Sequence, residues 1–341
     1  MVGKKALSVF VSIVLLVSSL LAGCSKPASG TQGANKSVSD KKFKIGISQI
    51  VEHAALDSAR KGFIDALKSK GFKDGDNIEI DYQNAQGDTP TAQTIAQKFA
   101  SSKKDMILAI ATPSAQAAYN ATKDIPILIT AVTDPVKSGI AKSWEKPGTN
   151  VTGTSDAAPI KKQFELIKEL VPDCKKVGIL YNTSEANSEI QLEDAKKTAK
   201  DFNFEIIVSG ITSTNDIPTA LGTLLDKVDL LYVPTDNMVV SSMPIISQIA
   251  VQKKKVVVSA ERGAVESGAL ATEGIDYYKL GFQTGLMAVD VIGGKNPKDM
   301  PISTLKDKDT QLVINENTAT KLGINIPQDL KERAEMIKGG E

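Results

Sequence analysis

Phe43-Lys44-Ile45-Gly46-Ile47 and, about 130 residues later, Lys176-Val177-Gly178-Ile179 decide the fold, because each short β-branched run opens the same series. After the first come a helical stretch at 55–70, a run at 77–82, a helix at 92–102, a run at 105–111, a helix at 115–122 and a run at 126–130. After the second, strands are expected at 177–181, 205–208, 230–233, 256–259 and 269–272, with helices between them. Short β-branched runs alternating with longer helical stretches are the pattern of parallel sheets with helical crossovers, so the class is α/β. The repetition predicts two Rossmann-like lobes. Right-handed crossovers place every strand's carboxyl end on one edge of its sheet, where ligands bind, and two such edges facing each other make a cleft.

Outward from this repeat, the amino-terminal residues address export. Lys4 and Lys5 precede an uncharged apolar run at 6–21 that is short for a membrane span and has the form of a signal peptide. It ends at Leu21-Ala22-Gly23-Cys24, which resembles the bacterial lipobox, so Cys24 is expected to be acylated and to hold the mature chain at the membrane surface. Residues 25–42 carry Pro27, Gly30 and Gly33 among Ser, Thr, Asn, Gln and Lys, with too little apolar content to offset the entropy of ordering. The expected organisation is a leader at 1–23, a lipidated tether at 24–42, a first lobe at 43–154 with 278–304, and a second at 155–277 with 305–338.

Composition excludes several functions. With 41 basic and 40 acidic residues among 341 and a net charge of +1, no sequence-wide field recruits nucleic acid. A single histidine, His53, and two cysteines, Cys24 and Cys174, give no metal-ligand spacing, and acylation of Cys24 leaves no disulfide partner for Cys174. No phosphate loop, dinucleotide fingerprint or nucleophile elbow is present. Neither a cofactor, a metal nor an enzymatic activity is expected, and the expected state is a monomer.

The loops beyond the strand ends carry the candidate site. Gln49-Ile50-Val51-Glu52-His53-Ala54-Ala55-Leu56-Asp57 offers Gln49 and His53 to a ligand, or else its acids merely suit the start of a helix. In Ala111-Thr112-Pro113-Ser114 a strand breaks and a helix begins with a Ser cap, giving N–H donors and two hydroxyls for a carboxylate, though capping alone would account for it. Thr133-Asp134 and Thr235-Asp236 repeat beyond strands of the two halves; Asp236 is the favoured partner for an ammonium group, with Asp134 left to shape its turn. Asn182-Thr183-Ser184-Glu185-Ala186-Asn187-Ser188 supplies a density of polar groups suited to a zwitterion; turn and capping chemistry is the lesser alternative and can coexist with binding. The candidate ligand-binding set is Gln49, His53, Thr112, Ser114, Thr133, Asn182, Glu185, Asn187, Ser188, Asp236 and Asn237.

Taken together, Gln49 to Asp57, Ala111 to Gln116, Thr130-Ala131-Val132-Thr133-Asp134-Pro135, Pro147-Gly148-Thr149-Asn150-Val151-Thr152-Gly153, Tyr181-Asn182, Ser184 to Ser188 and Gly268-Ala269-Leu270-Ala271-Thr272 carry a resemblance. Across 43–338 the chain resembles the tryptophan/tyrosine-type family of ABC transporter substrate-binding proteins, a branch of the type I periplasmic binding proteins. The resemblance implies lobes joined by crossovers near 153–158, 272–278 and 303–311, hinge closure around an aromatic or other hydrophobic amino acid, and docking on a membrane permease. It departs at Ala54, where the family's pattern has proline. No stacking platform stands out: the lone Trp144 precedes a Pro-Gly turn, and Tyr119 and Tyr181 suit packing. Alternative readings are a sensor that reports ligand occupancy to a membrane receptor, a binder of a sugar or nucleoside, and a surface enzyme acting in the cleft.

Overall fold

The computed structural model describes residues 42–305 and 309–340; the expected leader, Cys24 and the expected tether as far as residue 41 lie outside the described residues. In the first half the chain runs β1 (Phe43–Gln49), α1 (Ala54–Ser69), β2 (Ile78–Asn84), α2 (Thr89–Ser101), β3 (Met106–Ile110), α3 (Thr112–Ala121), β4 (Ile127–Thr130) and β5 (Val151–Ser155). The second half runs α4 (Ile160–Leu170), β6 (Lys176–Asn182), α5 (Ala186–Thr198), β7 (Glu205–Ile211), α6 (Ile217–Leu225), β8 (Leu230–Val233), α7 (Asn237–Ser241), α8 (Met243–Gln252), β9 (Val256–Ser259), α9 (Arg262–Glu266) and β10 (Ala271–Ile275). Then follow α10 (Tyr277–Ile292), β11 (Ser303–Thr304), β12 (Thr310–Asn315), α11 (Glu316–Leu322), α12 (Gln328–Arg333) and β13 (Glu335–Ile337).

The first sheet is ordered β11-β5-β4-β3-β1-β2 and the second β13-β12-β10-β9-β8-β6-β7, so the strand order 2-1-3-4-5 occurs twice. The two lobes are parallel α/β sheets, as the repeat predicted. Parallel strands covered on both faces read as unbroken apolar runs, and Met106–Ile110, Leu230–Val233 and Val256–Ser259 are buried along their whole length. One departure is β12, which pairs antiparallel with β10. The chain returns to the second sheet after β11, whose direction matches β5; it therefore enters from the cleft edge and must run away from it, while β10 runs toward it.

Helix packing explains the first lobe's dense core. Ala55, Leu56, Ala59, Gly62, Phe63, Ala66 and Leu67 form the buried stripe of α1 at helical spacing. That stripe meets α10 through glycines: a Cβ at Gly62 would lie 2.1 Å from the Tyr278 carbonyl oxygen, and one at Gly281 1.8 Å from that of Ala59. In the second lobe Phe164 takes Phe202, Phe204 and Tyr232 edge-on at 5.4 to 5.9 Å, the favourable orientation for ring quadrupoles. The chain crosses between the sheets three times, after Ser155, at Asp276 and between Thr304 and Thr310. No described helix is long and apolar enough to cross a membrane.

Candidate functional site

Each lobe presents the turns that follow its strands to the other lobe. On the first sheet these are His53 after β1, the start of α3 after β3, Ala131 to Asp134 after β4 and Asp156 after β5; on the second they are Asn182 to Ser188 after β6, Thr235 to Asn237 after β8 and Glu261 after β9. Two alanines on this edge adopt backbone angles that favour glycine: Ala111 at φ 75° and ψ 158°, and Ala131 at φ 57°. Such conformations cost about 1–3 kcal/mol each and persist where the surroundings impose them, commonly at ligand sites.

The lobes are in contact and enclose a cavity. His53, Leu56, Ala131 and Thr133 line it from one side, Asn187, Thr235, Asn237, Val240 and Glu261 from the other, and Asp156 and Tyr277 at the crossings. In this closed arrangement it measures about 10 Å³, the room of roughly one water, so a larger guest enters only when the lobes part. Contacts bridge the seam on both flanks. Gln191 of α5 donates to Thr133 at 3.2 Å, Lys137 lies 3.5 Å from Asp194, and His53 Nδ1 lies 3.8 Å from Glu261 Oε1.

Two buried carboxyl groups dominate the chemistry of the cavity. Asp156 is 4% exposed; its Oδ2 accepts from the Tyr277 hydroxyl at 2.7 Å, while its Oδ1 has no partner. Burial pushes Asp156 up to about 6, against the Tyr277 hydrogen bond and, more weakly, its own backbone N–H and the nearby Thr133 hydroxyl. Glu261 is 1% exposed, its Oε1 is also unpartnered, and burial, then proximity to Asp156 and Glu266, pushes it up to about 8. Burial lowers His53 to about 4, opposed by a hydrogen bond with Asn237. The His53–Glu261 contact is thus no ion pair at neutral pH: burial keeps both groups uncharged, and the energetics of a buried charge favour that over a loose pair at 3.8 Å. An unpartnered buried polar atom costs about 1–3 kcal/mol, and four face the cavity: Asp156 Oδ1, Glu261 Oε1, His53 Nδ1 and Asn187 Oδ1.

Acceptors in the cavity wall have a counterpart in donors at α3. The helix begins at Thr112, three residues earlier than a Ser cap at 114 would put it, because Pro113 fits a first turn that needs no N–H from it. Ala111 is the residue before the first turn and provides no side-chain cap. Ser114 is therefore free of the capping duty read from the sequence. Thr112 and Ser114 are buried with hydroxyls lacking partners, beside a helix start that attracts anions, where α3 approaches α5 of the opposite lobe. Neither belongs to the wall of the closed cavity.

The remaining sequence candidates divide in two. Thr133, Asn187 and Asn237 line the cavity with His53. Asp236, favoured from sequence for an ammonium group, does not: its Oδ2 accepts from the Asn182 backbone N–H at 2.5 Å and the Ser188 hydroxyl at 2.6 Å, and its Oδ1 caps α7 through Val239 at 2.9 Å. It is wholly buried, and burial followed by the nearby Glu185 pushes it up to about 7. Glu185 is likewise spent, accepting from Asn182, Asn187, Asn237 and Met238. Asn182 and Ser188 belong to the same framework. Gln49 is engaged within its own loop, donating to Val51 and Asp57 and accepting from Arg60. The sequence reading passed over Asp156, Glu261 and Tyr277, each one or two residues beyond a strand end.

The model of the ABC transporter substrate binding protein family matches residues 44–338. The chain belongs to that family. Members are binding proteins, and this one is a substrate-binding protein and not an enzyme. It is 54% identical over 321 residues to a tyrosine-binding protein of Clostridioides difficile, covering 94% of this chain and 92% of the relative. Among solved structures, a conserved domain protein of Vibrio cholerae is 41% identical with a TM-score of 0.85, covering 87% of this chain and 100% of the other. A domain from Streptococcus pneumonia in complex with L-Trp is 37% identical with a TM-score of 0.83, covering 87% and 99%. A ligand-free, open substrate-binding protein from Clostridium difficile is 53% identical, covers the same shares, and scores only 0.67. The binding protein thus matches a liganded relative better in shape than an open one nearer in sequence, in keeping with the contacts across its seam.

Proposed function

We propose that this binding protein captures an aromatic amino acid, L-tyrosine or L-tryptophan, between its lobes on the outer face of the cell membrane and delivers it to the permease of an ABC importer. The observation that carries the reading is the pair of buried carboxyl groups in the cavity wall, Asp156 and Glu261, each with an unpartnered oxygen, together with an uncapped helix start on the same lobe edge that bears the idle hydroxyls of Thr112 and Ser114. Carboxylates suit an ammonium group and the helix start suits a carboxylate. Leu56, Ala131 and Val240 give the cavity an apolar wall for a ring. The 54% identity to a tyrosine-binding protein and the 37% identity to a protein complexed with L-Trp support the same ligand class.

In this reading His53, Thr133, Asn187 and Asn237 orient the guest, while Asp236, Glu185, Asn182 and Ser188 hold the turns that present them. The crossings after Ser155, at Asp276 and after Thr304 act as the hinge, and the lobe boundaries follow them. Ligand favours closure only by binding the closed arrangement better than the open one, which the two carboxylates accomplish by meeting a positive charge they lack without it. An acylated Cys24 keeps the chain at the membrane, within reach of the permease.

Calorimetric titration with L-tyrosine, L-tryptophan, tyramine and N-acetyl-L-tyrosine tests the proposal. Both amino acids are expected to bind, and each of the two compounds lacking a charged end to bind at least tenfold more weakly. Binding of a sugar or nucleoside with no response to any amino acid would overturn it.

A further inference from the structure

Beside the cavity, the start of α1 in the first lobe meets α9 in the second. A Cβ placed on Gly263 would lie 2.9 Å from the Cβ of Ala54, 3.4 Å from the backbone nitrogen of Ala55 and 3.2 Å from Oε1 of Glu261. Real Cβ atoms do not approach at the first of these distances, so the two lobes touch here with nothing to spare. The local backbone gives no reason for glycine: Gly263 sits within a helix, does not have a positive φ, and is a poor helix former. What it avoids is an atom of the opposite lobe. Ala54 immediately follows His53, and Gly263 lies two residues past Glu261, so this contact is fastened to both sides of the 3.8 Å gap across the cavity.

We propose that Gly263 and Ala54 form the stop that sets how far the lobes close, and that the spacing of His53 and Glu261, and with it the grip on the ligand, is governed there. Neither residue touches the guest; both are positioning residues. The proposal rests on reading the cleft as the ligand site. It also gives a meaning to alanine at 54: the smallest side chain with a Cβ faces a residue with none, so any enlargement of either holds the seam apart.

The test uses Gly263→Leu, Gly263→Ala and Gly263→Ala with Ala54→Gly, each also made in a Lys137→Cys/Asp194→Cys background whose thiols flank the seam on the far side of the cavity. Leucine is a good helix former, so local helix stability does not fall on that account. Closure is read without ligand as the yield of cross-linking by a short bis-maleimide, the native Cys174 being buried. Affinity is read by calorimetry with L-tyrosine and L-tryptophan. Gly263→Leu is expected to lower cross-linking at least fivefold and to weaken the amino acid that binds the wild type at least tenfold. Gly263→Ala is expected to fall between, and adding Ala54→Gly to restore at least half of what the alanine lost. Wild-type cross-linking in Gly263→Leu, or no restoration by Ala54→Gly, overturns the stop. If neither amino acid binds the wild type, the ligand reading fails while the cross-linking yields still decide the stop; if the leucine variant does not fold, the alanine pair decides it.

Discussion

Closure of this binding protein without ligand should be governed by protons, and the size of the effect follows from three buried groups. When the lobes part and water reaches it, Glu261 returns to its ordinary 4.5; in the closed arrangement it stands at about 8. Asp156 moves between 3.8 and about 6, and His53 between 6.5 and about 4. An acid raised by closure favours the closed state at low pH and withdraws that support as pH rises through its closed value. A base lowered by closure does the reverse, its support being lost as pH falls from 6.5 toward 4. Between pH 8 and pH 6 the linkage relation gives roughly fiftyfold from Glu261 and twofold from Asp156 toward closure, against fourfold from His53. The closed-to-open ratio should therefore rise roughly 25-fold, about 2 kcal/mol. Asp236, inside the second lobe and away from the cavity wall, does not change with closure. Small-angle scattering of the ligand-free protein at pH 8, 7 and 6 reads the ratio as a falling radius of gyration. Saturation with L-tyrosine should abolish the dependence, because its ammonium group replaces the protons. Glu261→Gln, neutral at every pH, should stay compact throughout and bind tyrosine poorly. A radius that does not change with pH in the wild type would refute the assignment of these carboxyl groups to the seam.

Asp236→Asn should lower stability by about 1–3 kcal/mol in urea unfolding, since its amide offers a donor where Asn182 and Ser188 also donate, while tyrosine affinity falls less than in Asp156→Asn. Thr112→Val and Ser114→Ala should each weaken L-tyrosine by roughly 10- to 100-fold, the scale of a hydrogen bond to a charged group, and leave tyramine, which has no carboxylate, unaffected in titration. Gly281→Ala forces a Cβ against the Ala59 carbonyl oxygen, and its unfolding midpoint should drop by an amount corresponding to about 1–3 kcal/mol, with cross-lobe chemistry unchanged.

The architecture was legible because each layer of it writes a pattern into neighbouring residues. Lys176-Val177-Gly178-Ile179 repeats the opening of β1, the strands at 230–233 and 256–259 sit where their β-branched runs put them, and the strand order recurs in both sheets. The antiparallel β12 was not legible, because its direction follows from which edge the chain re-enters, a property of the path and not of Thr310–Asn315. The site was legible as a set of turns and misread in its charges. Asp236 and Asp156 both stand just past a strand, and nothing local separates a carboxylate that caps a helix from one that faces the opposite lobe. The difference lies in Ser188 and Asn182, which occupy Asp236, and in Tyr277, which takes only one oxygen of Asp156. Glu261 carried a usable signal: an acid two residues beyond a wholly buried strand is costly unless something charged visits it.

A crystal structure of the protein grown with L-tyrosine or L-tryptophan measures the central claim most directly. The ligand nitrogen is expected within about 3 Å of Asp156 Oδ1 and Glu261 Oε1, with the ring against Leu56 and Val240 and the carboxylate toward Thr112 and Ser114. An ammonium group seated on Asp236, or a ligand bound outside the seam between the lobes, would contradict it.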